Sequence, residues 1–78
     1  MSRYSKLRNH LEFYYFRQLD YIRDHLTCLY DGEPKTLWVS RAMLHSIRDL
    51  AEYCDVKYDE TEWNRVHDIL QEKERENQ

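Results

Sequence analysis

Apolar residues recur at helical intervals through residues 7–30. Leu7, Leu11, Tyr15, Leu19, Ile22, Leu26 and Leu29 are separated by four, four, four, three, four and three positions. At ~100° per residue they fall within roughly 120° of one another on one side of a helix. Lys6, His10, Arg17, Asp20 and Asp24 take the opposite, solvated side. Two features do not fit a single stripe. Tyr14, Tyr21, His25 and Cys28 form a shoulder beside it, and Phe13 projects near the middle of the polar side. A helix with one stripe needs one partner; this one offers a second contact surface.

The polar and turn-forming positions punctuate the rest. Ser2 or Ser5 is positioned to cap the first helix. Asp31, Gly32 and Pro34 mark the clearest break, because Gly tolerates positive φ and Pro interrupts helix continuity. A short hairpin pairing residues 27–30 with 36–39 across that turn is the lesser alternative. A second helix is predicted over residues 37–54, with Thr36 or Ser40 as N-cap and with Val39, Met43, Ile47, Leu50, Ala51 and Cys54 inward. Asp59 and Glu62 then fit a capping box at the start of a third helix over residues 60–74, with Trp63, Val66, Ile69 and Leu70 inward. Residues 71–78 lack apolar side chains, and the tail over 75–78 is expected to fray. The expected fold is all-α: one domain over residues 1–78, a small three-helix bundle with a long N-terminal helix. Its core is expected from Leu11, Tyr15, Leu19, Ile22, Leu26, Met43, Ile47, Leu50, Val66 and Ile69.

Composition narrows this picture. One Gly and one Pro in 78 residues argue against a turn-rich β architecture. A chain of this size buries only ~60–65% of its extended surface, so dimerisation would add stability that a single copy lacks. The net charge of −3 is unevenly spread: residues 1–30 hold five Lys/Arg against three Asp/Glu, and residues 55–78 hold four against eight. Two cysteines are too few for a secreted disulfide framework, the N-terminus lacks the apolar core of a signal peptide, and no apolar run reaches transmembrane length. The expectation is a cytoplasmic protein with reduced thiols and no membrane association.

The residues that could carry chemistry also have ordinary packing roles. His25, Cys28, Cys54 and His67 lack metal-ligand spacing, so no metal and no cofactor is expected. No nucleophile motif or Gly-rich phosphate loop occurs, and the chain is not expected to be an enzyme. Residues 47–70 have a helix-turn-helix outline, but Asp59, Glu60 and Glu62 would repel a DNA duplex at the start of the recognition helix. Arg3, Lys6, Arg8 and Arg17, interleaved with Tyr4, Phe13, Tyr14 and Tyr21, make the better nucleic-acid case. The leading expectation is a protein-binding surface. Aromatics are 14% of the chain, and Phe13, Tyr14, Tyr15 and Phe16 cannot all be buried against one neighbouring helix. Phe13, Tyr14, Arg17, Tyr21 and Trp38 are therefore the candidate partner-binding residues, for a homodimer or a foreign protein. The implied genre is a small regulator or inhibitor, of the kind that phages and mobile elements also encode.

Overall fold

The computed structural model describes residues 3–77, with side chains described from residue 5 onward. Three helices follow one another: α1 over Arg3–Asp24, continued by a π-helical turn over His25–Leu29, then α2 over Pro34–Tyr53 and α3 over Glu60–Glu76. They form an all-α three-helix bundle, and the hairpin alternative is replaced by helix on both sides of the turn. Of the two candidate caps for α1, Ser2 lies outside the described residues and Ser5 lies inside the helix.

The π turn corrects the predicted inward stripe. The Thr27 hydroxyl donates to the Arg23 carbonyl at 2.9 Å, giving that carbonyl a partner other than an amide of the next turn. A wide turn delays the helical register by about one residue. Leu26 stays fully buried, Leu29 swings out to 63% exposure, and Tyr30 packs against the core in its place.

α2 begins three residues earlier than expected. Pro34 occupies the first turn, where its missing N–H costs nothing and its fixed φ suits the helix. Neither Thr36 nor Ser40 is the cap. The Asp31 carboxylate accepts from the Glu33 amide at 3.0 Å and from the Thr36 hydroxyl at 3.3 Å, which also holds its pKa below the ordinary value. Ser40 is buried inside the helix. The inward face of α2 is Leu37, Ser40, Leu44, Ile47 and Ala51, rotated by roughly 65° from the predicted stripe. Leu50, expected in the core, is 39% exposed, and Val39 is exposed as well. The reason is that α2 serves two partners. Leu44 sits between them, and its carbonyl accepts the buried Trp63 indole N–H of α3 at 2.9 Å.

α2 ends in a Schellman motif. The Val56 amide reaches back to the Ala51 carbonyl at 2.8 Å and the Asp55 amide to Glu52 at 3.2 Å, while Asp55 adopts φ 53°. Val56 is thereby tucked against Ala51, both buried. Asp59 caps α3 as predicted, its carboxylate accepting from the Glu62 amide at 3.1 Å. The Glu62 side chain, however, does not close the box; it faces Arg23 at 3.4 Å and Arg65 at 3.6 Å. The C-terminal turn stays helical to Glu76, where Lys73–Glu76 and Arg75–Glu72 pairs and an Arg41–Glu74 bridge to α2 replace the apolar contacts it lacks.

Side-chain pairs fix the layout. Tyr15–Tyr58, Arg23–Glu62 and Tyr30–Lys73 run α3 parallel to α1, and Trp63–Leu44 with Glu74–Arg41 runs it antiparallel to α2. The molecule measures 49 × 18 × 17 Å, with a radius of gyration of 13.8 Å. A rounder domain of this length would have about 11.5 Å. The elongation comes from α1, whose first turns extend past the start of α3 and meet only the end of α2.

Candidate protein-interaction face

Ring burial in α1 follows its angular position. Tyr15 faces inward and is buried, edge-on to Phe16 and tilted against Tyr58, each at 5.5 Å between ring centroids. Its neighbours in sequence step 100° to either side and come out. Phe13 is 64% exposed, and Tyr14, Phe16 and Tyr21 are exposed too. The structure therefore brings Phe13, Tyr14, Arg17 and Tyr21 together as one outward surface over two turns of α1, with Tyr21 stacked on His25 at 6.2 Å. It does not bring Trp38 to them. Trp38, 72% exposed, lies with Pro34, Leu37, Arg41, Glu74 and Asn77 along the α2–α3 edge at the far end of the bundle.

A groove between α1 and α2 extends this surface. Leu11, Tyr14 and Tyr15 line it opposite Ile47, Leu50 and Ala51. Farther along, Leu7, Arg8 and Leu11 line it opposite Tyr53 and Cys54. Leu7, Leu50 and Tyr53 are exposed apolar residues that the sequence analysis did not place in a site. The signal for them was present. On the outward side of α1, Leu7, Leu11, Tyr14, Gln18, Tyr21 and His25 recur at four-three spacing, and on that of α2 so do Val39, Met43, Ser46, Leu50 and Tyr53. None of these positions is Asp, Glu, Lys or Arg, in a chain where roughly one residue in three is.

The basic residues do not all share a face. Lys6 and Arg17 are exposed on the side of α1 away from the core, which also carries Asp20 and Asp24. Arg8 is turned toward the bundle and lies 3.8 Å from Asp55. Arg23 faces Asp20, Asp24 and Glu62 at 3.4 Å each. The side chain of Arg3 lies outside the described residues.

The remaining candidate ligands are dispersed. Cys28 is exposed beside Thr27, Cys54 is half-buried at the groove's end, and His67 stacks on Trp63 at 5.1 Å. Among the described residues no three His, Cys, Asp or Glu side chains converge as a metal site would require. The Trp63 ring is also covered by the Arg48 guanidinium, 4.2 Å from its centroid, and meets the His45 edge at 5.5 Å. Burial, with Arg41, His45 and Arg48 nearby, lowers the pKa of His67. No helix among the described residues is long and apolar enough to cross a membrane. Comparison with known protein families, with curated proteins and with solved structures returns no match.

Proposed function

We propose that this chain is a small, non-enzymatic regulatory or inhibitory protein of the cytoplasm that acts by occluding a partner protein with the aromatic side of α1. The observation that carries the reading is the exposure of Phe13 and Tyr21 in the middle of a long helix whose other side packs on the core through Tyr15, Leu19, Ile22 and Leu26. Large rings held on a rigid backbone lose little entropy on binding and shed much apolar surface, which is why they anchor interfaces. Arg17, exposed between them and without an ion pair among the described residues, supplies a charged rim. Arg8 is turned toward the bundle, away from Lys6 and Arg17 on the outer side of α1, which weighs against a phosphate-tracking stripe.

Affinity capture from native host extract, with the retained protein identified, tests this. Phe13→Ala combined with Tyr21→Ala should lose that protein while its helical circular dichroism stays unchanged, since neither ring supports the core. Equal retention by the double variant would put the interface elsewhere. A gel shift of RNA or DNA at low salt that fades as salt rises would replace the reading with nucleic-acid binding.

A further inference from the structure

We propose that a second copy of this chain covers the α1–α2 face, α1 of each copy lying antiparallel on α2 of the other about a twofold axis parallel to the helices. This deepens the functional reading and rests on it in one respect: the aromatic side of α1 works as a protein contact.

The first support is the chemistry of the face. The two outward strips carry no Asp, Glu, Lys or Arg over about five turns of α1 and about four turns of α2. A face kept for water would carry them, because solvated helix surfaces in a chain this charged are where the charge goes. The four-three spacing is the seam pattern by which antiparallel helices interlock in four-helix bundles.

The second support is area. Leu7, Tyr14, Tyr21, Val39, Leu50 and Tyr53 remain exposed by 56%, 42%, 55%, 46%, 39% and 91%. Together they leave on the order of 700 Å² in contact with water, above the ~300–600 Å² patch of an ordinary monomer and near the ~800 Å² that each partner gives to a stable interface.

The third support identifies the occupant as a copy. A twofold axis along the bundle sets the α1 strip of one molecule over the α2 strip of the other at the same height. Tyr14 sits level with the segment between Ile47 and Leu50, so Arg17 falls about 5 Å along the axis from the level of Asp49. Both are exposed on the outer rims that this rotation brings to the same edge. Arg17 of each copy thus meets Asp49 of the other, and the pair occurs twice. Phe13, at the edge of the same outward surface, and Phe16 beyond it lie outside the seam and remain open to a foreign target in the dimer.

Sedimentation velocity from low to high micromolar concentration decides the matter. The wild-type chain should sediment as a dimer, and Leu50→Lys as a helical monomer. Arg17→Asp and Asp49→Arg should each raise the dimer Kd by roughly five-fold, as rim charge pairs do, and their combination should restore it to within about two-fold. A wild type that stays monomeric at every concentration overturns the proposal. So does a dimer indifferent to Leu50→Lys and to both charge reversals, and so do reversals that weaken the dimer without restoring it when combined. The charge variants keep the test decisive if Leu50→Lys fails to fold. A monomeric wild type whose captured target is still lost on Phe13→Ala with Tyr21→Ala removes the dimer and leaves the functional reading intact. A dimer whose Phe13→Ala, Tyr21→Ala variant keeps the same target does the reverse.

Discussion

Burial of the Tyr15 ring carries its hydroxyl to a place where it has no hydrogen-bond partner among the described residues. The ring gains transfer free energy while the hydroxyl forfeits its bonds to water, a cost of about 1–3 kcal/mol. The same burial, reinforced by Tyr58 and Asp59, pushes the hydroxyl pKa well above its ordinary 10.0. Two consequences follow for Tyr15→Phe. At neutral pH it should stabilise the chain by about 1 kcal/mol, because the ring stays and the unpaired group goes. At alkaline pH the wild type should lose stability as pH rises past 10, since the unfolded Tyr15 ionises there and the folded one does not. The phenylalanine variant should lose less. Tyr58, raised chiefly by its 2.9 Å bond to Glu52, has the same sign and keeps part of the alkaline loss. Urea melts of both proteins at pH 7 and pH 10.5 measure the two effects, and a less stable variant at pH 7 would mean that the hydroxyl is satisfied.

Helix ends account for much of what residue patterns alone did and did not reveal. The Asp59 cap was legible because a carboxylate three residues before Glu62 is a local signal. The Asp55 cap was not, because glycine is the usual mark of that position and aspartate stands there with φ 53°. Asp55→Gly should therefore relieve about 1 kcal/mol of left-handed strain. It forfeits a 3.8 Å pair between Arg8 and a carboxylate that is 88% exposed, which is worth little, and part of the gain goes to the freer unfolded chain. A net stabilisation of about 0.5–1 kcal/mol should appear as a Tm higher by roughly 2–8 °C in thermal melts. An unchanged or lower Tm would mean that the aspartate is held there by something stronger than strain. The side chains of α2 show the other limit of periodicity. Leu37, Leu44, Ile47 and Ala51 make one apolar stripe and Val39, Met43 and Leu50 make another, adjacent on the same helix. Spacing detects both stripes and cannot say which faces inward; the placement of Trp63 against Leu44 decides it. The π turn was equally hidden, since Thr27 is an ordinary helical residue until its hydroxyl takes the Arg23 carbonyl.

At the scale of the whole molecule, three helices and an outward aromatic patch on α1 were legible, while the α1–α2 groove was not, because it exists only once two strips distant in sequence are set side by side. The other interhelical seam, between α2 and α3, carries a different chemistry. Arg41, His45 and Arg48 from α2 surround Trp63 and His67 of α3, with His45 and His67 edge-to-face at 5.7 Å. Asp68 is the acidic neighbour that opposes this field on His67 itself. Burial first, and the arginines and His45 next, hold the His67 pKa below its ordinary 6.5. The unfolded chain thus takes up a proton at higher pH than the folded one. Stability from this group is complete above pH 6.5 and is lost as pH falls from there through the folded-state pKa. The expected result is a Tm that drops by on the order of a few degrees between pH 7 and pH 5.5. His67→Phe, which keeps a ring against Trp63 but cannot take a proton, should flatten that drop without lowering the Tm at pH 7 by a comparable amount. Melts of the two proteins across that range, with Trp63 fluorescence as the probe of the α2–α3 seam, test the assignment. An equally steep fall in the variant would trace the acid sensitivity to another group.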